Sequence, residues 1–125
     1  MMDASKKVLI VEDELPMLDA LHDALELAKI TGLKARDGSE GLSVALREHP
    51  AAILLDILMP VMDGFQMLER LRKDMWGKDA KVLILTNFST DEVRHRANEY
   101  GVLDFLVKAD HGIDEIIKKV KSILV

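Results

Sequence analysis

The sequence predicts an α/β domain in which amphipathic helices cover both faces of a five-stranded parallel sheet. Three observations support this. The runs VLIV at 8–11, AILL at 52–55 and VLIL at 82–85 are continuously apolar and largely branched, as strands buried on both faces are. Between and after them, apolar residues recur at helical spacing, as at Leu15, Leu18, Leu21 and Leu25 and at Ile113, Ile116, Ile117, Val120, Ile123 and Leu124. The chain has 125 residues, 49% hydrophobic and 31% charged, which fits one packed domain over 1–125 with no output domain in this chain.

The elements follow in order. The strand at 8–11 leads into a helix whose first turn tolerates Pro16. GLKAR at 32–36 mixes polar and apolar residues and suits a strand near the sheet edge. Asp37 with Glu40, Asp63 with Gln66 and Ser89 with Glu92 have capping-box spacing and mark three helix starts, the last opening a helix over 89–100. VLDFLV at 102–107 is the second edge-type strand, and a final helix covers 112–124 and runs to Val125. Strands alternating with helices, joined by right-handed crossovers, give one parallel sheet covered on both sides.

Composition excludes several function classes. With 17 Lys and Arg against 22 Asp and Glu, the net charge of −5 speaks against non-specific binding to nucleic acid or anionic lipid. The absence of Cys removes disulfides, thiolate nucleophiles and thiolate metal sites. No apolar run approaches the roughly 18 residues of a membrane span, and MMDASKK enters the first strand without a targeting segment, so a cytoplasmic protein is expected. No phosphate-binding glycine motif is present, His22, His49, His95 and His111 lack ligand spacing, and Arg94, His95 and Arg96 read as a solvated helix face.

The acids carry the functional signal. Glu12 and Asp13 follow the run at 8–11, and Asp56 closes the run at 52–55, so each lies at the carboxyl end of a buried strand, where open α/β sheets bind ligands. Acids at such places are also ordinary helix-start residues. If the first and third strands are neighbours, however, the three carboxylates meet, and Mg2+ is the natural hard cation to neutralise them. Thr86 and Lys108 end the runs at 82–85 and 102–107. A hydroxyl, an ammonium and a metal around an attacking carboxylate suit phosphoryl transfer, with Asp56 as the nucleophile.

VLIVEDE at 8–14, LLDILMPVMDG at 54–64, LILTN at 83–87 and DFLVK at 104–108 together resemble a response-regulator receiver domain of two-component signalling, along nearly the whole chain. The resemblance implies the flavodoxin-like strand order 2-1-3-4-5. It implies Mg2+ on Glu12, Asp13, Asp56 and the Leu58 carbonyl, and phosphorylation of Asp56 by a sensor histidine kinase, a phosphotransfer protein or a small phosphodonor. It implies further that Thr86 turns towards the phosphoryl oxygens, that Lys108 pairs with them, and that Met59, Pro60, Asp63 and Gly64 shape the loop after the acceptor strand. Phe105 occupies the aromatic switch position, and without a hydroxyl its ring is expected to prefer the inward state. The face made by helix 89–100, strand 102–107 and helix 112–124 is the expected surface for a downstream protein or a homodimer. Such a chain is a switch rather than an enzyme with a separate substrate.

Three features depart from that family. Ala109 stands where proline usually follows the lysine, Asn87 replaces a small residue after the threonine, and Leu58 and Phe88 are apolar near the path of an entering water. The last points to slow autodephosphorylation. Two alternatives compete: a docking module with this fold but no phosphorylation cycle, and a Mg2+-dependent phosphatase of the haloacid dehalogenase type. The latter generally carries an acid two residues beyond its nucleophile, where this chain has Leu58.

Overall fold

The computed structural model describes residues 7–124; the opening residues read above for targeting and the final Val125 lie outside the described residues. Five strands form one parallel sheet: β1 (Lys7–Val11), β2 (Thr31–Ala35), β3 (Ala52–Leu55), β4 (Val82–Thr86) and β5 (Asp104–Val107). Their spatial order is β2-β1-β3-β4-β5, as expected. The helices are α1 (Leu15–Leu27), α2 (Gly38–Glu48), α3 (Gly64–Arg72), α4 (Asp91–Glu99) and α5 (Ile113–Leu124).

Alternation along the strands divides the core into two layers. Val8 and Ile10 face α1 and α5, packing with Leu18, Leu21, Leu25, Ile116, Ile117 and Val120. Leu9 and Val11 face α2, α3 and α4, packing with Ala45, Met67, Leu68, Leu71, Val93 and Ala97. Strands β3 and β4 are buried at every residue, whereas β2 and β5 have partly open patterns. That difference is what continuous and interrupted apolar runs predict for central and edge strands.

Several boundaries move. β5 is shorter than 102–107: Leu103 is 53% exposed and sits in a bend, although its N–H still bonds Val82 O at 2.8 Å. β2 takes in Thr31 and omits Arg36. The helix expected over 89–100 covers 91–99, and Ser89 is not its cap. Thr90 is extended and its side chain accepts from Val93 N–H, which leaves Val93 and Ala97, one turn apart, facing the core. Asp37 does cap α2, and Asp63 with Gln66 forms the complete reciprocal capping box of α3.

The loop between β3 and α3 has little freedom. Gly64 N–H bonds Ile57 O at 2.9 Å, and a Cβ at Gly64 would lie 2.5 Å from Asp56 O and 2.8 Å from Ile57 Cα. Both are backbone atoms of the segment that carries Asp56, so they cannot move aside without moving that residue. Substituting Gly64→Ala is therefore expected to cost at least about 1–3 kcal/mol of stability, read as a lower urea midpoint.

Candidate functional site

Sheet register assembles the site. Val11 is paired with Leu55, so Glu12 and Asp13 leave β1 beside Asp56 as it leaves β3. Backbone bonds from Asp56 N–H to Val11 O and from Glu12 N–H to Ala35 O, both 3.0 Å, carry the alignment one residue past the strands. On the other side Thr86 is paired with Val107, and Lys108 follows at once. Among the described residues, Glu12, Asp56 and Thr86 are the buried polar ones, and carboxylate oxygens of Glu12, Asp13 and Asp56 all lie within 4.8 Å of one another. Five residues from the ends of four strands thus meet at the β1/β3 switch point and its neighbours, where the sequence placed them.

Lys108 is the centre of charge. Its ammonium lies 2.6 Å from Glu12 Oε1, 2.8 Å from Asp56 Oδ2 and 2.7 Å from Glu14 Oε1. Sequence reasoning missed Glu14; the only signal was a third acid after the pair, and an acid at a helix start is commonplace. Burial, aided by the nearby Asp56 charge, pushes the Glu12 carboxyl up to about 7 despite the Lys108 bond. Burial alone would lower Lys108, but its bonds to Asp56, Glu12 and Glu14 hold it above the usual lysine range. With Asp13, whose carboxylate lies beside those of Glu12 and Asp56, the cluster holds four carboxylates and one ammonium. That hard-oxygen donor set, short of positive charge, fits a small divalent cation.

The remaining polar atoms are held by the backbone. Asp56 Oδ1 accepts from Leu58 N–H at 3.3 Å, Glu12 Oε2 accepts from Glu14 N–H at 3.1 Å, and Thr86 Oγ1 accepts from Phe88 N–H at 3.2 Å. A cleft of about 210 Å³ opens above them, lined by Asp13, Glu14, Asp56, Leu58, Thr86, Asn87 and Lys108. The Lys108–Ala109 peptide is trans, and Lys108 reaches Asp56 without a following proline. Asn87 Oδ1 accepts from Ala109 N–H at 2.9 Å.

Phe105, at the position expected to act as the aromatic switch, lies on β5. Phe105 is half-buried against the core that includes Val93 and Ala97. The Arg94 guanidinium stands 4.7 Å from the centre of its ring, and Arg96 lies 4.1 Å over Phe65. The basic residues of α4 are exposed, as read from the sequence, but these two also cover aromatic rings.

Among the described residues no helix is long and apolar enough to cross a membrane. Residues 8–121 match the response regulator receiver domain family. The chain is 36% identical over 120 residues to the transcriptional regulatory protein PrrA of Mycobacterium bovis, covering 96% of this chain and 50% of that protein. It is 32% identical over 119 residues to the probable transcriptional regulator ycf27 of Porphyridium aerugineum, covering 95% and 48%. The chain therefore spans about half the length of these relatives. Among solved structures, the chemotaxis protein CheY4 of Vibrio cholerae superposes with a TM-score of 0.86 at 27% identity, over 94% of this chain and 97% of that one. A CheY-like receiver domain protein from Methanospirillum hungatei gives 0.87 at 26% identity, over 95% and 93%. Sequence, strand order and the acid cluster at the strand ends agree, and the chain belongs to the response regulator receiver domain family.

Proposed function

We propose that Asp56 is the phosphoryl acceptor of a Mg2+-dependent switch. A carboxylate oxygen of Asp56 attacks phosphorus, the bond to the donor's histidine nitrogen or acyl oxygen breaks, and the product is an acyl phosphate. The observation that carries this reading is Lys108, held 2.8 Å from Asp56 at the floor of an open cleft that Thr86 also lines. An ammonium there offsets charge on the peripheral oxygens during transfer. Glu12, Asp13 and Asp56, with the Leu58 carbonyl, would hold Mg2+, which when bound supplies further positive charge beside the phosphoryl oxygens. The Thr86 hydroxyl, which accepts from Phe88 N–H, then turns to donate to a phosphoryl oxygen, and Phe105 settles inward, changing the face of α4, β5 and α5 that a downstream protein or a second copy would read.

The donor would be a sensor histidine kinase or phosphotransfer protein in the cytoplasm, without direct contact with nucleic acid or membrane. The only turnover is the chain's own phosphorylation and dephosphorylation. Lys108 seated on Asp56 argues against a docking module without a cycle, and Leu58, apolar and 57% exposed at the cleft, offers no acid for a phosphatase.

Incubation with acetyl phosphate and Mg2+ should add one phosphoryl group to the intact mass, and Asp56→Asn should abolish the gain; an unchanged gain in the variant would refute the assignment. Leu58 lines the cleft and Phe88 follows Asn87, and neither apolar side chain can orient a water, so the phosphorylated form should outlast seconds once donor is removed. Because Glu12 titrates near 7 and must be ionised to bind metal, Mg2+ should bind more tightly as pH rises. Calorimetry should show roughly tenfold weaker binding at about pH 6 than at about pH 8, and Glu12→Gln should flatten that dependence.

A further inference from the structure

We propose that Asn87 is a positioning residue: by accepting a hydrogen bond from the Ala109 backbone, it fixes the spacing of Thr86 and Lys108 across the cleft. The inference rests on reading Asp56 as the phosphoryl acceptor. Asn87 follows Thr86, and Ala109 follows Lys108, so their 2.9 Å bond is a clasp placed just beyond Thr86 and Val107, the last paired residues of β4 and β5. A backbone N–H can only donate, so the side-chain atom facing it is oxygen and the carboxamide has one orientation.

The two residues require each other. A glycine or alanine at 87 would offer no acceptor, and a proline at 109 would offer no donor. Two of the departures from the family pattern, Asn87 and Ala109, are therefore one feature. Without the clasp, the turn that carries Lys108 would be closed on its own side by a long bond, from His111 N–H to Lys108 O at 3.4 Å. Lysine has a long, flexible stem, and a phosphoryl group must be met by its ammonium and by the Thr86 hydroxyl together. Holding both backbones reduces the disorder that must be removed when transfer occurs.

The acid cluster is different. Glu12, Asp13 and Asp56 are carried by β1 and β3, on the far side of the site from this bond. Loss of the clasp should slow phosphoryl transfer and leave metal binding alone, whereas general damage to the site would lower both.

The test uses the full chain and its Asn87→Ala, Ala109→Pro and doubly substituted forms. Intact-mass time courses with acetyl phosphate and Mg2+ give the transfer rate, calorimetry gives Mg2+ affinity, and NMR follows the Ala109 amide. Asn87→Ala should slow transfer about threefold to tenfold, the range of one hydrogen bond, with Mg2+ affinity held within about twofold and the Ala109 amide exchanging faster. Ala109→Pro should slow transfer similarly, and the double variant should add nothing further. Because position 87 is exposed, Asn87→Ala alone decides the matter if the proline form does not fold. Unchanged transfer in Asn87→Ala, an Ala109 amide that does not respond, or equal losses of rate and Mg2+ affinity would each overturn the clasp. A wild-type chain that accepts no phosphoryl group at all would instead overturn the acceptor assignment, and this inference with it.

Discussion

The site depends on one electrostatic constraint: carboxylates crowded at the ends of two buried strands need positive charge. Glu12 and Asp56 are 2% and 5% exposed, too buried for water to screen them, and one lysine from the far side of the sheet bridges both. Removing one partner of such a cluster leaves uncompensated buried charge, which is far costlier than losing a surface ion pair. The lysine satisfies the crowding only in part, since Asp13 and Glu14 add two more acids at the rim. The remaining imbalance favours a divalent cation, and the proximity of ammonium and carboxylate also suits transfer of an anionic group.

Strand order enforces that crowding. The chain leaves β1 towards β2 on one side, then returns to place β3 on the other, so the loops after β1 and β3 diverge and their acids border an open cleft. Parallel pairing aligns all carboxyl ends at one edge of the sheet, and Thr86 and Lys108 reach the same level by the same register. Gly64 completes the enclosure from below, its missing side chain letting α3 begin against the Asp56 backbone.

Much of this was legible in the sequence, for reasons that differ by residue. The three central strands announce themselves because burial on both faces demands unbroken apolar runs. Glu12, Asp13, Asp56 and Thr86 were legible because they end such runs, and Lys108 because it ends the mixed run at 102–107; a strand end is a position in space once the sheet is known. The start of α4 was misread because Ser89 and Thr90 are equally good caps, and only the packing of Val93 and Ala97 chooses between them. Glu14 was invisible as a Lys108 partner because its contact depends on how α1 begins. The bond between Asn87 and Ala109 joins two loops, and loop backbone directions follow from no periodicity.

Burial is also consistent with the proposal that the face of α4 responds. This helix buries Val93 and Ala97 alone, whereas α3 buries Gly64, Phe65, Met67, Leu68 and Leu71. An element with so little apolar anchorage opens at the low end of the stability scale. Its other attachments are polar: the Thr90 cap, and Arg94 and Arg96 laid over Phe105 and Phe65. The Thr86 hydroxyl accepts from Phe88 N–H in the loop that leads into this helix, so the proposed change of partner at Thr86 would act on a lightly anchored helix. The acids and the lysine sit at the ends of strands packed into the sheet, whereas Thr86 ends β4 and bonds the loop that leads into a lightly anchored helix. A switch needs that division, because charge added to a rigid corner does no work unless a neighbouring element has two arrangements of similar free energy.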